Sequence, residues 1–158
     1  MKLEAYLQSY QSTILGTVSE DGYPFTSYAP FFYDGCHIYI LISDIATHSK
    51  NIQKEWKASA FFIEDEKTCH NIFARKRISL QCDVRMITRE DTQFGIVKTA
   101  FGKKFNQEMI TMLTAMKDFN FYELTPARGE ATFGFGEAYA IGGEEMNELI
   151  PRSVKGHR

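Results

Sequence analysis

Residues 36–55 read CHIYILISDIATHSKNIQKE, and the change of pattern inside this stretch decides the fold class. From His37 to Ile42 the side chains are β-branched, aromatic and almost unbroken in apolar character, the composition of a buried strand. Ser43-Asp44 breaks the run, and Ala46 onward reads as a helix carrying Thr47, His48, Lys50 and Asn51. A strand feeding a helix start leaves the first helical N–H groups without intrahelical partners, and the dipole there favours an anion. Lys50 and His48 lie in that same first turn, where positive side chains oppose the dipole. Their placement points to an anionic ligand; an ordinary solvated turn is the competing reading of these residues taken alone.

Upstream, Leu3, Tyr6, Leu7 and Tyr10 share one face of a short helix predicted over residues 2–11. Residues 12–19 (STILGTVS) read as a strand, Glu20 to Pro24 as a turn with an Asp-Gly pair, and residues 25–33 as the returning strand. Pro30 is expected at an edge, a bulge or a strand end. Asp34-Gly35 turns again into residues 37–42, which completes an antiparallel meander. After the helix of residues 46–57, residues 59–64 (SAFFIE) form a fourth strand and residues 65–73 a short helix. Ile78, Leu80, Cys82 and Val84 then face one way along a strand over 78–87. Residues 89–117 hold two helices broken near Phe101-Gly102, and Asp118 closes that segment. Residues 119–124 read as a strand, 126–132 as a loop, and 133–141 (FGFGEAYAI) as a glycine-punctuated strand before a polar tail. The sum is a mainly β, α+β chain of six or seven strands in a closed or partly closed antiparallel barrel. Segment 89–117 is expected to cover one open end.

The 158 residues suit one domain, and a formal net charge of −2 gives no signal for nucleic acid or an acidic membrane surface. Cys36, Cys69 and Cys82 lack CxxC spacing, so reduced thiols and a cytoplasmic location are expected. The start, MKLEAYLQSYQ, is polar and amphipathic, and no apolar run approaches the ~18 residues of a membrane helix, so no membrane insertion is expected. Cys36-His37 and Cys69-His70 lack zinc spacing, and strand neighbours point to opposite faces. There is no GxSxG elbow, and FGFGEA lacks the Lys-Ser/Thr and the βαβ frame of a phosphate loop. Its glycines suit a bend or the close approach of a flat ligand. Arg75-Lys76-Arg77 is a second cationic cluster, with a solvated corner as its plain alternative and phosphate or carboxylate as its chemical match.

Taken in order, the motifs LGTVSEDGYPFTSYAPF (15–31), LISDIATHSKNI (41–52), SAFFIEDE (59–66), IFARKRISLQCDV (72–84), KDFNFYEL (117–124), GFGEAY (134–139) and Gly156-His157-Arg158 cover nearly the whole chain. The chain resembles the haem-utilisation proteins of the HugZ/HutZ type, within the pyridoxamine-phosphate-oxidase-like, FMN-binding split-barrel superfamily. That resemblance implies a homodimeric split barrel over residues 1–158, with residues 142–158 as a tail contributing to a haem site at the dimer interface. It implies His157 as axial ligand of the haem iron and Asp118 as a carboxylate reaching that histidine from the other subunit. Arg77 is implied at the haem, on a propionate or on iron-bound oxygen, and His48 as a pocket histidine. The implied activity is oxygen-dependent opening of the haem ring with iron release, driven by an external electron donor. Haem carriage or storage without turnover would use the same residues. The flavin-binding relatives clasp the FMN phosphate with an SRKGK-like turn; here ATHSK keeps Lys50 but has Thr47 and His48 where basic residues are expected. FMN is therefore the alternative cofactor.

Overall fold

A computed structural model describes residues 2–152. Eight antiparallel strands run β1 (Ser12–Val18), β2 (Pro24–Tyr33), β3 (Ile38–Ser43), β4 (Lys57–Ile63), β5 (Arg77–Ile87), β6 (Phe119–Thr132), β7 (Ala138–Gly142) and β8 (Glu148–Pro151). Their order is β3-β2-β1-β4-β5-β6-β7-β8, and a further β3–β6 ladder closes the first six into a barrel. The barrel is split along β6. Its first half, Phe119 to Leu124, pairs with β3, while Gly129 to Thr132 pairs with β7. β5 follows β6 over nearly its whole length, with a register shift between Gln81 and Cys82 opposite Pro126. A proline cannot donate to the ladder, and a bulge absorbs that loss.

The two Asp-Gly turns form as expected, with Gly22 at φ 87° and Gly35 at φ 101°, backbone angles a glycine adopts without a Cβ clash. Pro30 stands opposite Ser12, at the end of the β1–β2 ladder, where β2 changes partner to β3. Leu15, Phe31, Ile40, Phe62, Leu80 and Tyr122 fill the interior. Helix α1 (Lys2–Gln8) closes one end: Leu3 and Leu7 join that core, and the Tyr6 ring meets Phe133 edge-on at 5.3 Å. Helix α2 (Thr47–Glu55) closes the other through buried Ile52 and through Asn51, whose amide donates to Thr17 Oγ1 at 3.1 Å.

The segment expected over an open end lies elsewhere. Helices α3 (Gln93–Lys104) and α4 (Gln107–Ala115) pack on the outer face of β3, β5 and β6, where Val97, Phe101 and Ile110 form a second core with Tyr39, Leu41, Ile87 and Phe121. That is why β3 is buried on both faces, Ile38 and Ile40 inward, Tyr39 and Leu41 outward. The helices break at Phe105-Asn106 rather than at Phe101-Gly102, because Asn106 caps α4 by accepting from Met109 N at 2.9 Å. Residues 126–132 are strand rather than loop, since β7 offers them a partner. Residues 133–137 turn instead of extending, and the tail contributes β8. Of the helix expected over 65–73, only a 3-10 turn at Ile72–Ala74 is present. No helix among the described residues is long and apolar enough to cross a membrane.

Candidate functional site

The outer face of β1 and β4, with the adjoining first halves of β2 and β5, carries no helix. Ladder register sets its outward side chains in rows: Tyr28, Ile14, Phe61 and Ser79 side by side, then Thr26, Gly16, Ser59, Gln81 and Arg128. Tyr28 is 66% exposed, Val18 50% and Ile14 37%, an apolar stripe that a barrel lying free in water has no reason to display. Beside it, Gly16 leaves a hollow; a Cβ at that position would run into Ser59 Oγ. A cavity of about 390 Å³ lies over this hollow, lined also by Val18, Lys57, Gln81 and Arg128. Lys57 is paired with Asp83 at 2.6 Å, whereas Arg128 has no carboxylate partner among the described residues.

Arg77 begins β5 on the same face, opposite Ile63 and Thr132. It spends one guanidinium donor on Arg75 O at 2.8 Å. Arg75 is itself held to Glu64 O through Nε at 3.0 Å. Within the basic triplet, Arg75 therefore fixes the corner and Arg77 keeps donors to spare. Arg77 and Lys57 stand six residues apart in register along the wall, on the order of 20 Å at the usual strand rise.

The remaining candidates gather around the start of α2. Its N-cap residue, Ala46, has no side chain to offer, and no acidic residue lies in the first turn, so the leading N–H groups stay open. His48 turns toward the barrel, with Nδ1 2.9 Å from Ser27 Oγ. Burial pulls its pKa below the ordinary 6.5, which leaves the ring neutral near pH 7 and able to accept or ligate. Lys50 points away from it, exposed, into a cavity of about 470 Å³ shared with Glu20, Asp21 and Lys54. The first turn does not gather His48 and Lys50 into one cradle.

Asp118 lies in the turn before β6. Its Oδ2 accepts from Ser43 Oγ at 2.7 Å and its carbonyl accepts from Asp44 N at 2.7 Å. The neighbouring Asp44 carboxylate accepts from Tyr122 OH at 2.8 Å and from Asn120 Nδ2 at 2.7 Å. Asp118 is thus held firmly beside α2, with Oδ1 left over. Arg77 pairs with the last residue of β6 and Asp118 immediately precedes the first, so one copy of the chain keeps them at opposite ends of that strand. His157 lies outside the described residues.

Gly16, Tyr28, Phe61 and Arg128 went unnoticed in the sequence. A signal was present for Gly16: in STILGTVS the even-numbered Ile14 and Val18 that flank it are apolar although Leu15 already faces inward. Arg128 sits in a segment whose composition reads as loop, so only strand pairing reveals which way it faces.

A six-stranded closed barrel with a strand pair continuing from its seam and an apolar outer wall defines a split-barrel protein. The chain belongs to the pyridoxamine 5'-phosphate oxidase family, whose sequence model matches residues 1–133. It is 32% identical over 157 residues to the heme oxygenase HutZ of Vibrio cholerae serotype O1, covering 99% of this chain and 88% of that protein. The crystal structure of Vibrio cholerae HutZ, described there as a heme storage protein, superposes with a TM-score of 0.78 at 31% identity, over 85% of this chain and 95% of that one. Campylobacter jejuni ChuZ superposes with a TM-score of 0.86 at 27% identity, over 99% of this chain and 64% of that longer one.

Proposed function

We propose that this protein binds haem against its bare outer wall and degrades it in the presence of oxygen and an external electron donor. The near full-length identity to a heme oxygenase carries the reading. The wall supports it on its own terms: a flat hollow at Gly16, an apolar stripe beside it, and Arg77 and Arg128 on the same face to meet propionates. Haem, when bound, would supply the redox chemistry, while the protein supplies binding, orientation and water exclusion.

Within that reading His157 is the iron's axial ligand, and Asp118 is the carboxylate that fixes its imidazole tautomer from a second copy of the chain. Two copies of the chain then meet at each haem, a reading supported by the separation of Arg77 and Asp118 at opposite ends of β6 in one copy. Arg77 serves the haem with its spare donors, and neutral His48 provides an acceptor at the pocket edge. The uncapped start of α2 with exposed Lys50 favours FMN as a second reading, since a phosphate would satisfy both.

Titration of the purified protein with haemin and with FMN tests these readings together. Haem binding predicts a saturable Soret band of histidine-ligated type that His157→Ala abolishes or shifts; an unchanged band sinks the ligand assignment. With ascorbate and oxygen, decay of that band together with iron captured by a ferrous chelator marks degradation. A band that persists marks a carrier. A yellow protein as purified, losing FMN on Lys50→Ala, would put the flavin reading first.

A further inference from the structure

A second cavity, of about 1,020 Å³, lies between α3 and the far end of β2 from Gly16. Phe32 lines it, its ring stacked on Tyr39 at 6.4 Å. Gly95, Thr99 and Ala100 of α3 line the facing side, and nothing lies within 4 Å of where a Cβ on Gly95 would stand. These three, with Thr92, Ile96 and Lys103, follow the i, i+3, i+4 spacing of one helix face. It is a different face from Val97 and Phe101, which enter the second core. Small residues at this spacing keep the groove open along the helix.

The groove ends at two lysines. Lys104 Nζ donates to Tyr10 O at 2.8 Å and to Phe31 O at 2.7 Å, and sits 3.9 Å from the centroid of the Phe31 ring. Neither Lys103 nor Lys104 forms an ion pair with a carboxylate among the described residues. A half-buried ammonium held by carbonyls and a π face, with no counter-ion, leaves one end of an apolar groove electropositive. Burial draws Lys104 down to about 8, a sign that its charge is only partly compensated.

We propose that this groove is a binding site for a flat, largely apolar organic anion, its ring system against Phe32 and its acidic group at Lys103 and Lys104. The site is separate from the proposed haem surface and does not depend on that reading. An aromatic floor, a small-residue wall and a paired cationic end match that class of ligand and no neutral one equally well.

The probe is 8-anilinonaphthalene-1-sulfonate, with N-phenyl-1-naphthylamine as its neutral counterpart, both titrated into the intact protein by fluorescence. The proposal predicts saturable binding of the sulfonate at least about tenfold tighter than of the neutral amine, the worth of one charge-assisted contact. Thr99→Trp, which fills the groove, should remove that binding while circular dichroism confirms the fold. Lys103→Glu, at an exposed position, should erase the preference for the anion without touching the barrel. Equal affinity for the two probes overturns the proposal. So does sulfonate binding that survives in a folded Thr99→Trp protein or keeps its charge preference in Lys103→Glu.

Discussion

The barrel has two outer walls of opposite character. Over β3, β5 and β6 the chain lays its own helices, and Phe101 and Phe121 become fully buried on the outside of the barrel. Over β1, β4 and the adjoining first halves of β2 and β5 it lays nothing, although Ile14, Val18 and Tyr28 are apolar like the residues that α3 and α4 cover. The same pleated surface is a core in one place and a display in the other. What separates them is what the sequence supplies to cover each, and an apolar wall left uncovered is available for a ligand or a second copy.

The covered wall should be the one that holds the fold. Phe101→Ala removes a fully buried ring and is expected to cost about 3–5 kcal/mol in urea unfolding; a cost under 1 kcal/mol would mean the second core contributes little. Next comes Arg89, which reaches from the end of β5 to Thr114 O at 2.9 Å, Phe119 O at 3.0 Å and Asn120 Oδ1 at 2.6 Å. It ties α4 to the start of β6, and because it is solvent-exposed, Arg89→Ala should cost only about 1–2 kcal/mol. On the bare wall Ile14→Ser should cost less than about 1 kcal/mol. A loss comparable to that of Phe101→Ala, with a melting temperature that depends on protein concentration, would show that a second copy covers this wall in solution.

A further effect concerns pH. The folded chain gives up the Lys104 proton near 8, well below the 10.5 of a free lysine. The unfolded chain holds it longer, so the stability owed to this group rises as pH climbs from about 8 to about 10.5. Lys104→Met lacks that rise, and the stability of the protein relative to this variant should increase across the interval. A difference flat in pH contradicts the assignment.

The meander, the α2 segment and the alternation of β5 were legible because each is written in local pattern: Asp-Gly turns, an unbroken apolar run, period-two burial. The places of α3 and α4 were not. An amphipathic helix announces that it has a buried face without saying which surface receives it, and only the closed ladder shows that β3 offers its outer side. The candidate site divides in the same way. The basic triplet at 75–77 and the strand-to-helix change at the start of α2 follow from the residues themselves, while the place of Arg77 on the wall comes from its pairing with Ile63 and Thr132. The opposite placement of Arg77 and Asp118, the inward turn of His48 and the hollow at Gly16 depend on strand register across residues far apart in sequence.

That hollow offers the most direct test of the bare wall as the haem surface. Gly16→Val should fold, since Ser59 Oγ can rotate away from the new side chain, yet it fills the space in which a flat ligand would lie. Haemin titration of this variant beside the unaltered protein should show affinity reduced by at least about tenfold, with the melting temperature of the free protein nearly unchanged. Undiminished haemin affinity in a folded Gly16→Val protein would contradict the account.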